Sequence, residues 1–264
     1  MNHRPIVLLS LFKSGTHMMR RMVTEITGLR FFEPPIVRGR VDYRDPNQLI
    51  LERGRYYSWH LVPGPEVRSQ LVQAEARPIL VLRNVCDLVV SMYHHFAGNI
   101  DADIGRGRNV GRYFGEMTRS DGLLAIILGM QRQDFRWPGL EFHLEHIHAM
   151  LELAALHPSH LTTFERFTCD RRGEAARVAS FLGLSLSPAA LDAAASSTSF
   201  QAMRRAAQAR GRGSHYRRGV AGSASDELEE VHFSAIRALV ARHAVHLPSR
   251  CEAAGVAEVL SGVA

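Results

Sequence analysis

The sequence predicts an α/β fold built on a central parallel sheet flanked by helices, and three stretches carry that expectation. Pro5 to Phe12 is a short apolar run that ends at a glycine-containing turn. Pro78 to Leu82 is a second such run leading into a helical stretch, and Leu161 to Phe164 is a third that follows one. Short, continuously apolar runs are what parallel strands covered on both faces present, and their alternation with helices marks a wound sheet.

Taken in order, the first strand is Pro5 to Phe12. A helix should follow from Thr16 to about Thr27, stopped by Gly28, because glycine readily takes the left-handed conformation that closes a helix. Tyr56 to Leu61 is rich in aromatic residues and is closed by Pro63 and Gly64, as a strand would be. After Leu82 a helix is expected from Val85 to about Phe96, with Asn84 and Asp87 at the spacing of a capping pair. Leu144, Ile147, Leu151 and Ala154 fall on one helical stripe ahead of the strand at Leu161 to Phe164. Arg204 to Gly219, dense in arginine and glycine with little apolar periodicity, reads as a mobile loop. The last forty residues return to helix, with Leu228, Val231, Ile236, Leu239 and Val240 as apolar positions. No repeat or linker interrupts the chain, so a single domain over residues 1–264 is expected.

With 264 residues, 46% apolar and 22% charged, the chain can bury a substantial core, which excludes the disordered and fibrous classes. A net charge of +6 suits an anionic ligand, a nucleic acid or an acidic membrane surface without choosing among them. Cys86, Cys169 and Cys251 are too few and too scattered for a disulfide framework, and no C-x-x-C pair offers a zinc site. Nothing approaches the roughly 20 apolar residues of a membrane-spanning helix. The expected location is cytoplasmic, with no membrane span.

The turn after the first strand carries the first chemical signal. Small residues between a buried strand and a helix leave backbone N–H groups pointing outward, and the helix dipole adds positive potential there. Lys13-Ser14-Gly15-Thr16 adds a formal charge and two hydroxyls. The arrangement is P-loop-like, but a nucleotide kinase needs G-x-x-x-x-G-K-[ST], and here the lysine precedes the glycine. A glycine turn with an incidental lysine would look the same on this signal alone. Arg83 and Ser91, at a strand end and two turns along the next helix, suit a phosphate monoester, although Arg83 taken alone could equally be a surface charge.

Together these segments resemble the phosphoadenosine phosphosulfate (PAPS)-dependent sulfotransferase family. Lys13-Ser14-Gly15-Thr16 is similar to its K-S-G-T-T-W loop, and Arg83 to Ser91 to its R-N-P-x-D-x-x-x-S, with Val85 for the proline. Thr198 to Met203 resembles T-S-F-x-x-M, and Arg217-Arg218-Gly219 resembles R-K-G. Phe164-Glu165-Arg166 through Phe181-Leu182-Gly183 resembles the Y-E-D and F-L-G stretch. The motifs occur in family order over nearly the whole chain.

The resemblance implies that Lys13, Ser14, Gly15 and Thr16 bind the 5′-phosphosulfate, and that Arg83, Ser91, Arg217, Arg218 and Gly219 bind the 3′-phosphate. Phe200 would pack on adenine, with Thr198 and Met203 lining the same pocket. His17 and Met18 stand where the family has threonine and an adenine-stacking tryptophan, and Phe164 stands where a tyrosine is common. Either nucleotide affinity is weaker than usual in the family, or another aromatic such as Phe12 or Trp59 compensates for the missing tryptophan. The products would be adenosine 3′,5′-bisphosphate (PAP) and a sulfated acceptor, with no metal required.

Ser58-Trp59-His60-Leu61-Val62-Pro63 resembles the family's K-T-H-L-P, whose histidine is the general base. The resemblance therefore implies His60 as base. A separate expectation is that Lys13 shifts toward the bridging oxygen and stabilises the leaving phosphate. Ser58 stands where the family has lysine. His143, His146 and His148 lack the spacing of a metal site and are expected on a solvated helix face. His94 and His95 are expected to border the acceptor. Phe31, Phe32, Tyr56, Tyr57, Trp59, Tyr93 and Phe96 would either wall a small hydroxyl acceptor or fill the core. Competing readings are a carbohydrate or oligosaccharide sulfotransferase, a nucleotide kinase, and a nucleic-acid-binding protein that uses the arginine-rich stretch. The expected partner is a small-molecule hydroxyl compound rather than nucleic acid, and no signal fixes the oligomeric state.

Overall fold

The structure, a computed structural model, describes residues 4–32, 51–98, 110–209 and 221–263. Five parallel strands form the central sheet in the order β2-β3-β1-β4-β7. They are β1 (Ile6–Ser10), β2 (Phe31–Phe32), β3 (Tyr56–Trp59), β4 (Arg77–Leu82) and β7 (His160–Thr163), and β5 (Met130–Gln131) pairs with β6 (Arg136–Trp137) in a small antiparallel ribbon. The chain climbs β1, runs out to β2 and β3 on one side, then crosses to β4 and β7 on the other. The strand order thus reverses about β1, and the ends of such strands frame the ligand crevice of a wound sheet.

Helices cover both faces. On one lie α1 (Thr16–Thr27), α8 (Arg171–Phe181) and α9 (Pro188–Ser197), packed on Ile6, Leu8, Tyr56, Ile79 and Val81. On the other lie α2 (Pro65–Gln73), α3 (Val85–Ala97), α5 (Arg119–Leu128) and α6 (Leu140–Leu156), packed on Val7, Leu9, Tyr57, Leu80 and Leu82. The alternation of strand residues between two cores follows from the two-residue period of a strand, and all five residues of β1 are buried. The remaining helices are α4 (Val110–Gly115), α7 (Phe164–Cys169), α10 (Phe200–Gln208), α11 (Glu230–His243) and α12 (Leu247–Ala253).

The first helix starts and stops where the sequence places it, with Gly28 in the left-handed conformation at its end. Three expectations are corrected. The third strand ends at Thr163, whose hydroxyl accepts the Arg166 N–H, so that Phe164 opens α7. Arg204 and Arg205 lie in α10, and only residues 210–219 of the expected loop fall outside the described residues. His143 and His146 are buried on the inner face of α6, 1% and 0% exposed, and only His148 of that trio reaches solvent. Among the described residues no helix is long and apolar enough to cross a membrane, and no cluster of metal-ligating side chains occurs.

Candidate active site

The turn that leaves β1 is held from within. The Ser14 hydroxyl donates to the Leu11 carbonyl at 2.7 Å, and the hydroxyls of Ser10 and Thr16 meet at 2.8 Å. Lys13 has φ +59 and Gly15 φ +87, so two residues in four are left-handed and the chain turns sharply from strand into α1. No side chain caps that helix start and no carboxylate stands in its first turn. The start of an α-helix carries the positive end of its dipole, and this end is therefore disposed toward an anion.

Gly15 has a second reason to be glycine, because a Cβ there would lie 2.7 Å from the Phe164 ring. The Arg83 guanidinium lies over that ring, 4.4 Å from its centroid. Arg83, only 7% exposed, also donates to the Lys13 carbonyl at 2.5 Å. Ends of β1, β4 and β7 are thereby locked into one unit, with the arginine at its centre. Arg83 is buried, which resolves the alternative of a surface charge.

His60 closes the other side. Its Nδ1 lies 2.8 Å from the Ser10 carbonyl and its ring stacks on Phe12 at 4.3 Å. A carbonyl only accepts, so Nδ1 carries the proton and Nε2 keeps its lone pair. Burial lowers its pKa to about 4, and the Arg20 and Lys13 cations push in the same direction. His60 is therefore a neutral imidazole at pH 7. Behind it, His146 donates from Nε2 to the Leu61 carbonyl at 3.0 Å. Burial holds both His143 and His146 near a pKa of about 3.

At the opposite end, Asn84 caps α3 by accepting the N–H groups of Cys86 and Asp87. Asp87 does not complete a capping pair. Its carboxylate turns away to accept the N–H groups of Gly222 and Ala224 at 2.6 and 2.9 Å, which ties down the chain just after residue 219. Ser91 lies one turn further along α3, half-buried. Glu165 accepts the Asn84 N–H, and burial raises its pKa to about 7.

Met18, Phe164 and Met203 meet in one buried cluster, with Phe200 partly exposed beside it at the start of α10. Met18 is 4% exposed, and the Thr198 hydroxyl is spent on the Ala194 carbonyl at 3.0 Å. His17 faces solvent. Arg217, Arg218 and Gly219 lie outside the described residues.

The expected replacements for the missing tryptophan are engaged elsewhere, Phe12 on His60 and Trp59 on Tyr57 with ring centroids 5.0 Å apart. The aromatic group divides. Tyr56, Tyr57, Trp59 and Phe96 are core, whereas Phe31 and Phe32 are 39% and 45% exposed. His94 is bonded to Glu227 at 2.5 Å. Two contributors escaped the sequence reading: Ser10, which orients His60, and Arg20, whose Nε donates to Ser58 Oγ at 2.7 Å. Only the four-residue step from Thr16 to Arg20 on one helix face could have signalled the latter.

A lysine turn, a buried arginine and a neutral histidine at the crevice of a parallel sheet define a protein that handles a phosphate- or sulfate-bearing ligand. The chain belongs to the sulfotransferase domain family, whose model matches residues 3–244. Among solved structures it resembles mouse sulfotransferase SULT7A1 complexed with PAP, at 20% identity and a TM-score of 0.67, covering 91% of this chain and 84% of that one. It also resembles retinol dehydratase in complex with androsterone and the inactive cofactor PAP, at 16% identity and a TM-score of 0.62, covering 92% and 81%. A retinol dehydratase complex with retinol and PAP matches at 15% identity and a TM-score of 0.57, covering 92% and 82%. No curated protein matches the chain by sequence.

Proposed function

We propose that the chain transfers the sulfuryl group of PAPS to a hydroxyl of a small-molecule acceptor, with His60 as the general base. One observation carries this reading: His60 stands beside the Lys13 turn with Nδ1 tied to the Ser10 carbonyl, which leaves a neutral Nε2 to receive a proton. As the acceptor oxygen bonds to sulfur, its proton passes to Nε2. The sulfur–oxygen bond to the phosphate breaks, and its electron pair stays on the bridging oxygen of the departing PAP. Lys13 and the start of α1 face that charge, and preorganised positive groups of this kind are worth most where water is excluded.

Arg83, just after β4, and Ser91, two turns into α3, would take the 3′-phosphate, together with Arg217, Arg218 and Gly219. Phe200 and Met203 would hold the adenine, with Met18 behind them. The small-molecule acceptor finds support in the androsterone and retinol bound by the structural neighbours. Calorimetric titration with PAP, against ATP plus Mg²⁺, tests the donor. Metal-independent binding that Arg83→Ala weakens is expected, and a preference for ATP would overturn the reading. Turnover of PAPS against a panel of phenols, sterols and sugars then identifies the acceptor class.

A further inference from the structure

The sulfuryl group of the donor carries negative charge on the oxygens attached to sulfur, in addition to the charge that develops on the departing phosphate. The strand residue Ser58 is small and neutral where the resembling motif of the family has a lysine. Ser58 and His60 lie two residues apart on β3 and its continuation, so their side chains leave the strand on the same side. Arg20 reaches that side from α1. Its Nε donates to Ser58 Oγ at 2.7 Å, a second guanidinium nitrogen lies 3.5 Å from the Ser58 carbonyl, and the Phe31 ring lies 4.6 Å from its carbon. One turn before it on the same helix face, Thr16 meets Ser10, the residue that bonds His60. Arg20 with Ser58, and Thr16 with Ser10 and His60, therefore lie together where α1 packs on the ends of β1 and β3.

We propose that Arg20 is a catalytic residue of this chain, a guanidinium delivered by α1 and oriented by Ser58 that contacts the sulfuryl group of the bound donor. The inference rests on the proposed function and deepens it. A fork of N–H donors fits the oxygens of a sulfuryl group better than a point charge does. Ser58, in accepting from Nε, fixes the plane of that fork. Arg20 would thus supply from α1 the cation that the resembling motif carries on the strand.

The test compares two nucleotides that differ only in the sulfuryl group, PAPS and PAP, by calorimetry, and needs no acceptor. Arg20→Ala should weaken PAPS binding about tenfold or more, the range of one charge-assisted hydrogen bond, while PAP binding stays within about threefold. Arg20→Gln, which keeps a donor for Ser58 without the charge, should show the same selective loss. Adding Ser58→Lys to Arg20→Ala should restore PAPS binding by returning a cation from the strand. Equal losses for both nucleotides, no loss for either, or failure of Ser58→Lys to restore the difference would each reduce Arg20 to a packing residue and overturn the inference. Wild-type protein that binds neither nucleotide would overturn the proposed function, and this inference with it.

Discussion

His60 and Gly15 show how much a single residue determines. Desolvation is the main cause that lowers the His60 pKa from 6.5 to about 4. Its charged form thus appears only in acid, and from there upward the neutral imidazole is available for the proposed role of base. Turnover should stay level from pH 8 down to about pH 5 and fall as pH drops through 4, whereas an acid limb near 6.5 would argue against a buried base. His60→Ala should lower kcat by roughly 10²–10⁴-fold and leave PAP affinity unchanged. Gly15→Ala sets a Cβ 2.7 Å from the Phe164 ring at φ +87. The left-handed conformation alone costs about 1–2 kcal/mol, and the displaced ring carries Arg83 with it. We expect a lower melting temperature and weaker PAP binding, read in the same titration; unchanged affinity would separate Phe164 from the nucleotide site. These residues were legible in sequence because residue type and short spacing carry their chemistry. Arg20 was not, since its contact with Ser58 joins residues 38 apart through the packing of α1 on β3.

The elements matter because each presents its end to the same crevice. The start of α3 has two anchors: Asn84 on its own amides, and Asp87 on the backbone of Gly222 and Ala224. A carboxylate there also suits the positive end of the helix dipole. Asp87 therefore fixes where the chain re-enters after Arg217-Arg218-Gly219. Asp87→Ala removes the acceptor for these donors and should cost about 1–3 kcal/mol in urea unfolding. It should also weaken PAP but not adenosine 5′-monophosphate, which lacks the 3′-phosphate; parallel weakening of both would mean that the anchor serves only the fold. The first helix and four of the five sheet strands could be read from short apolar or aromatic runs. The two-residue strand β2 could not, because its pairing depends on β3 rather than on its own residues. The direction of Asp87 could not either, since its partners lie 135 and 137 residues away.

At the scale of the molecule, α6 places a buried histidine pair, His143 and His146, behind His60. The expectation of a solvated face for His143 and His146 failed because α6 packs on the sheet with that side. Helical periodicity alone cannot say how wide a buried stripe is once the polar residues in it are neutral. Neither ring nitrogen of His143 has a protein partner among the described residues, and burial lowers its pKa from 6.5 to about 3. Its folded form thus binds fewer protons than its unfolded form between these values. Stability from this group is complete above about 6.5 and is lost as pH falls toward 3. At pH 5 the loss amounts to about 2 kcal/mol for this histidine. Glu165, raised from 4.5 to about 7, acts in the opposite sense and loses its contribution as pH rises through 7. That term is common to wild type and variant and cancels in a comparison. His143→Leu should therefore shrink the fall in unfolding free energy between pH 7 and pH 5 by about 2 kcal/mol, measured by urea titration at both values. An undiminished fall would mean that His143 takes up its proton in the folded chain as readily as in the unfolded one, and that the wall behind His60 is wet rather than dry.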